Sequence, residues 1–357
     1  MASGWFAIND GSSRWRAPAF NGSQRDAFLT RGTLIIETRA AEVHRPRPLV
    51  QLRHGTGQGA FHLSLQALPG GGLSFVLNAG EAMAHHTFTA SDTGRSDGLL
   101  ITYTWDMSTE CARISLESDA HDRVDLVTVA EVSPVPVAAL LALTEGGEER
   151  YLSPELRFIA ISNQVEPIGL KPGLSLSTPV ATASGYQPIS TLQRGDLVRS
   201  ASGDLVPVLH VVERNFPALG QFTPLRIRAP YFGLRRDICV APFQKFMLSG
   251  SEVEYLFGRE AVLIRPGHLT GGAAIRRMTP VRFVTYRQLI LPDHETLDAM
   301  GASVESLFLG RIRRKPDHLA ASALAPLDRS SLPEHAPSTY PLLSAFDAVV
   351  LAEHRAA

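Results

Sequence analysis

The first half of the chain alternates apolar and polar side chains with the two-residue period of half-buried strands. In Phe61-His-Leu-Ser-Leu-Gln-Ala-Leu68, residues Phe61, Leu63, Leu65 and Ala67 fall on one face. Pro69-Gly-Gly-Gly72 interrupts the pattern and Leu73-Ser-Phe-Val-Leu77 resumes it, which predicts a hairpin. A second hairpin is predicted from Leu99–Asp106, a turn at 107–110, and Cys111–Glu117. There Ile101, Tyr103 and Trp105 alternate with Thr102 and Thr104, so one face is expected to be buried and the other wet. Thr33–Thr38 and Phe158–Ser162 are further strand-like runs. Short strands at this spacing, with 29 glycines and 24 prolines supplying turns, predict a β-sandwich over residues 1–166. The best helix of this half is Val135–Leu143, ended by Gly146-Gly147.

Residues 163–172 contain Pro167, Gly169 and Pro172 and few large apolar side chains, which places a domain boundary there. A second, mostly-β domain is expected over 167–312, with helical stretches around Tyr255 and between Leu297 and Leu307. Residues 313–357 read as a loosely structured linker followed by a C-terminal strand or tail, Tyr340–Leu351, that docks back on a domain. The basic run Arg311-Ile-Arg-Arg-Lys315 is short and followed by Asp317, and reads as a solvated linker.

Composition narrows the function classes. A chain of 357 residues exceeds one typical core. A net charge of −1 gives no general electrostatic attraction to nucleic acid or to an anionic membrane, and neither is expected as a partner. The two cysteines, Cys111 and Cys239, fall in different predicted domains, which argues against a disulfide framework and a cysteine-based zinc site. No secretory signal and no apolar run of membrane-spanning length is visible. A cytoplasmic protein is expected, with secretion lacking a cleaved signal left open.

The second half carries an ordered set of motifs. It begins Gly173-Leu-Ser-Leu-Ser-Thr178-Pro-Val180-Ala-Thr182, continues to Gly185, Pro188-Ile189 and Leu192-Gln-Arg-Gly-Asp-Leu-Val198, and goes on through Pro224–Phe232, Asp237–Pro242, Leu248–Gly258 and Gly267–Gly272. Over roughly residues 170–310 this set resembles Hint domains, the self-processing modules of hedgehog proteins and inteins, and more narrowly those of bacterial, alphaproteobacterial type. The resemblance implies an all-β fold. It also implies a chemistry: a Cys or Ser at the first position attacks the preceding carbonyl, a His in a Thr/Ser-x-x-His stretch protonates the leaving nitrogen, and a downstream acceptor resolves the ester.

Counting back from Thr178, the first position is Gly173, which has no nucleophile. Allowing for two lost residues makes it Ser175, followed by the apolar Leu176. The histidine stretch falls in Val240–Lys245, where Ala241 stands at the Thr/Ser place and Gln244 at the histidine. Glutamine donates a hydrogen bond but delivers no proton. The candidate site residues are therefore Ser175, Thr178, Gln244, His268 and His294, the last two as alternative sources of acid–base help. Cys239, between Ile238 and Val240, reads as an inert buried thiol. The leading expectation is a degenerate, non-enzymatic Hint domain. The alternative is self-cleavage at Leu174–Ser175.

The sandwich is expected to bind a protein or a glycan; no cofactor or metal is expected. The adjacent His85 and His86 point to opposite strand faces and cannot easily share a metal. Asp119, Asp122 and Asp125 offer oxygen ligands for calcium but lack an EF-hand loop. Trp5, Trp15 and Trp105 are candidates for a sugar platform, with core packing the competing use of Trp105.

Overall fold

The computed structural model describes residues 4–20, 22–39, 43–89, 98–118, 123–129, 131–147, 149–278 and 281–356. They divide into two compact units, 1–169 and 170–357. In the first unit a seven-stranded antiparallel sheet runs, in spatial order, Val124–Val129, Cys111–Ser118, Gly98–Asp106, Arg31–Arg39, Leu156–Ser162, Trp5–Asn9 and Arg14–Arg16. A five-stranded sheet runs Arg150–Leu152, Arg47–His54, Phe61–Ala67, Leu73–Ala79 and Ala82–Phe88. The apolar phases of both sheets, including Leu34, Ile36, Leu63, Phe75, Tyr103 and Trp105, merge into one core, as a sandwich requires.

The hairpin of the five-stranded sheet closes with Ala67 opposite Leu73. Gly70 and Gly71 take φ of 81° and 88° in its turn, a region that L side chains rarely adopt. The helix forms over Val137–Glu145, and Gly146, at φ 130°, donates its N–H to Ala142 O. Trp105 and Trp5 are buried, and Trp105 Nε1 donates to Leu29 O at 3.0 Å. Those two rings therefore offer no sugar platform.

The face carrying Thr102 and Thr104 is not wet: both side chains are buried. Residues 163–169 cross it. Thr33 Oγ1 donates to Gln164 O at 2.8 Å and accepts from Glu166 N at 2.8 Å, and Gly169 N donates to Glu117 Oε1 at 3.3 Å. On the same face the buried Glu37 is paired with Arg157 at 2.9 Å. Threonine suits this role, because its hydroxyl satisfies a passing backbone group while its methyl packs. Of the acidic residues considered for calcium, Asp119 and Asp122 lie outside the described residues, and Asp125 is paired with Arg123 at 2.7 Å.

The second unit has a six-stranded sheet in the order His210–Pro217, Phe283–Ile290, Leu174–Ser175, Ile238–Val240, Leu225–Ile227 and Ile275–Arg277. A four-stranded sheet joins Gly185–Pro188, Pro179–Thr182, Leu197–Arg199 and Leu205–Pro207. Another joins Ala261–Ile264, Phe246–Ser249, Ala302–Glu305 and Thr296–Ala299. Leu174, Val180, Val240, Phe246, Leu289 and Val304 bring all three into one core. The helix near Tyr255 is present as Ser251–Phe257. The stretch from Leu297 to Leu307 is a hairpin instead of a helix. Met300 and Gly301 turn it at positive φ, and Asp298 Oδ1 accepts Gly301 N at 2.7 Å.

The segment after residue 312 is more ordered than its composition implies. Arg313 and Arg314 both pair with Glu334 at 2.6 Å, which holds the Glu334 carboxyl down at about 2. Leu319, Leu324 and Leu332 are buried against Val212, Ile290, Leu307 and Leu309 in a satellite core. His335 pins the segment: its Nδ1 accepts Leu309 N at 3.2 Å and its Nε2 faces Leu291 O at 3.0 Å. The expected C-terminal strand is a helix, Ala345–Ala356, that places Ala348 and Leu351 in the core. Its start is capped by Ser344, whose hydroxyl accepts Asp347 N at 3.2 Å and donates to Asp347 Oδ2 at 2.7 Å.

Two outcomes are expected. Ser344→Ala lowers the stability of the second unit by about 1 kcal/mol in urea titrations. Burial is the main cause that lowers the His335 pKa below its ordinary 6.5. The folded chain therefore resists a proton that the unfolded chain accepts. The His335 contribution is complete above pH 6.5 and is lost as pH falls through the lowered folded value. Melting temperatures from pH 7.5 down to 5 are expected to fall more steeply for wild type than for His335→Gln; equal slopes would contradict this.

Candidate functional site

Gly173, the first position by the ungapped count, has no room for a side chain. Gly173 O accepts Ala241 N at 2.8 Å, so Gly173 lies beside the Val240–Lys245 stretch. A Cβ on Gly173 would run into Gln244 Oε1 and sit 3.0 Å from Gln244 Cβ. Gln244 is not free to retreat. It is buried, its Nε2 donates to Lys245 O and Glu305 O at 3.1 Å each, and its Oε1 accepts Gln288 Nε2 at 3.2 Å. Gln288, also buried, donates as well to Glu305 O. Two neutral amides thus bridge the strands Phe283–Ile290 and Ala302–Glu305, and neither group titrates.

Ser175 and Thr178 form a separate cluster. Ser175 Oγ lies 3.1 Å from Thr178 Oγ1 and 3.4 Å from Ser177 Oγ, and Thr178 Oγ1 donates to Cys239 O at 3.1 Å. The Cys239 thiol hydrogen-bonds Ser175, yet burial pushes it up to about 11. Hydroxyls and a protonated thiol make a poor activating set, since none removes a proton near neutral pH. The bond between Leu174 and Ser175 lies inside the sheet, with Leu174 fully buried and paired with both Val240 and Arg287.

His294 belongs to a third group. Its Nε2 is 3.2 Å from Glu305 Oε1 and its Nδ1 is 3.4 Å from Ser306 Oγ. Glu305 also faces Lys245 at 3.5 Å. The His294 ring packs against Phe308 and His335, with centroids 4.9 and 5.8 Å away. His268 sits on the turn Pro266–Leu269, held to the other loop by Gly267 N donating to Pro242 O at 3.0 Å. The fold therefore brings Ser175 together with Thr178, and Gln244 together with Gly173. The polar partners of Ser175 among the described residues are hydroxyls and the Cys239 thiol, not Gln244 or His294.

Sequence reasoning missed Gln288 and Glu305. Glu305 is the hub: its carbonyl receives both glutamines and its carboxylate faces both Lys245 and His294. A carboxylate that ends a strand-like run, Ala302-Ser-Val-Glu305, was the available signal. No group of His, Cys, Asp and Glu among the described residues could hold a metal ion. No helix among them is long and apolar enough to cross a membrane.

No curated protein matches the chain. Among solved structures, the CBM40 module of Ruminococcus gnavus IT-sialidase is 14% identical with a TM-score of 0.27, over 38% of this chain and 77% of that one. The MchDnaB-1 intein is 14% identical with a TM-score of 0.25, over 37% of this chain and 98% of that one. Sheep galectin-11 is 9% identical with a TM-score of 0.22, over 37% and 82%. Residues 172–311, the stretch that contains Gly173, Ser175, Gln244, His294 and Glu305, match the family model of the Hint domain.

Proposed function

We propose that the Hint unit is a scaffold that does not cleave itself, and that the protein acts by binding through its N-terminal sandwich. The observation that carries this reading is the contact between Gly173 and Gln244: the place of the nucleophile is filled by the residue that replaces the acid. Losing a positioned acid–base group costs roughly 10²–10⁴ in rate, and losing the nucleophile removes the pathway. Attack by Ser175 at Leu174–Ser175 would have to proceed inside a hydrogen-bonded sheet, without a base on the serine.

For the sandwich, the reading is a glycan-binding face on the outside of the five-stranded sheet. The register lines up Arg53, His62, Asn78 and Met83 across four strands, with Tyr151, Gln51, Ser64, Val76 and His85 in the next row. Asn78 Oδ1 is buried with no hydrogen-bond partner, and Tyr151 and Met83 are exposed. An array of donors and acceptors beside an aromatic ring matches the alternating polar and apolar faces of a sugar.

Intact mass spectrometry after hours in thiol and hydroxylamine is expected to show one species near 38.7 kDa. Two fragments meeting at Leu174 and Ser175 would instead establish self-processing. Gly173→Ala is expected to cost ~1–3 kcal/mol by overpacking against Gln244, whereas Ser175→Ala still gives one uncleaved species, lighter only by the lost oxygen. On a glycan array followed by calorimetry, Arg53→Ala combined with Asn78→Ala is expected to weaken binding by roughly fivefold to a hundredfold, since each lost hydrogen bond is worth about 0.5–1.5 kcal/mol. No glycan retained by the full chain would end the glycan reading.

A further inference from the structure

We propose that one edge of the six-stranded sheet in the Hint unit is a docking surface for an acidic, carboxylate-bearing polysaccharide. The edge consists of Leu225–Ile227 and Ile275–Arg277 together with the loop 228–237. These stretches hold six arginines and one carboxylate in a chain whose net charge is −1. The imbalance is local and does not follow from composition.

The register is what makes the patch unusual. Arg226 stands directly opposite Arg276 on neighbouring strands. Like charges opposite each other destabilise a sheet, and the fold has no need of them. Both side chains are exposed, and the core contacts of this strand pair come from Leu225, Ile227 and Ile275. Arg228 follows two residues along and is exposed; Arg277, which stands opposite the core residue Leu225, is exposed on the other face of the edge strand. The one carboxylate, Asp237, is already committed. It accepts Ala229 N at 2.9 Å and pairs with Arg226 at 2.7 Å. Those two contacts, the backbone one first, hold it below the ordinary carboxylate range. Arg235 lies toward Tyr186, whose hydroxyl bonds Asp298, so on the face that carries Arg226 the excess positive charge centres on Arg228 and Arg276.

The loop is fixed before any ligand arrives. Phe232 packs its ring 5.3 Å from that of Phe246, and Arg235 N donates to Met300 O at 2.9 Å. Arginines on a rigid sheet repeat about every 4.8 Å across strands and ~6.8 Å along them. That spacing suits carboxylates carried one per sugar unit, each gripped by a planar guanidinium. Tyr231 is the exposed aromatic of the patch, and a single ring makes no stacking ladder for unpaired bases. The inference stands whether or not the sandwich binds a glycan.

The test is titration of the full chain with polygalacturonate, uncharged dextran and a single-stranded oligodeoxynucleotide at several salt concentrations. Polygalacturonate is expected to bind, more weakly as salt rises, and dextran is not. Arg228→Glu/Arg276→Glu is expected to weaken binding by roughly tenfold or more. Arg259→Glu/Arg311→Glu, exposed elsewhere on the same unit, is expected to leave it unchanged. Arg276→Gln alone removes the like-charge pair, so it should keep or raise the melting temperature while weakening binding several-fold. That separates lost binding from unfolding. The proposal is overturned by absent polygalacturonate binding at low salt, by equal binding in the charge-reversed chain, or by tighter binding to the oligonucleotide.

Discussion

Leu174 and Ser175 lie between the two halves of the largest sheet in the second unit. On one side Leu174 pairs with Val240, and on the other it pairs with Arg287 while Ser175 pairs with Tyr286. The sheet order places no other strand between Phe283–Ile290 and Ile238–Val240. Everything outward of this two-residue strand, from His210–Pro217 on one flank to Ile275–Arg277 on the other, relies on it for continuity. The demands of fold and of cleavage meet here in opposition. The bond that serine chemistry would break is the one whose flanking backbone groups join the sheet.

Beside this strand, next to Gly173, the buried polar side chains are two neutral amides. Gln244 and Gln288 share the Glu305 carbonyl and hydrogen-bond each other, so the buried space beside Gly173 is filled by amides, of which Gln288 Oε1 alone has no partner among the described residues. A buried charge without partners would be costly there, and an amide network avoids that. Lys245 and His294 are arranged around the Glu305 carboxylate. Removing one partner from such a buried group is costly, because the remaining group keeps its desolvation penalty with less to offset it.

Strand content was legible wherever period two was clean, as in Phe61–Ala67 and Leu73–Ala79. The Hint resemblance, carried by ordered motifs between Gly173 and Gly272, has its counterpart in the family match over 172–311. Other features could not be read from local pattern. Thr102 and Thr104 look like a wet face until residues 163–169 cover the sheet. Leu319, Leu324 and Leu332 are too sparse to mark a core and become one only against strands far away in sequence. Val349-Val350 favours a strand by propensity, yet the Ser344–Asp347 cap and the docking of Leu351 make a helix. The glutamine pair was half visible: Gln244 stands out against the motif, whereas Gln288 matters only through pairing.

All three tryptophans, Trp5, Trp15 and Trp105, lie in the first unit, and the Hint unit contains none. Two of them are buried in the sandwich. Intrinsic indole emission excited at the red edge therefore reports on the sandwich alone, while far-ultraviolet dichroism reports on both units. The chain carries its own optical label for one half. Whether the two halves melt as one cooperative body or in separate steps is readable from the offset between those two signals, with no dye or added residue.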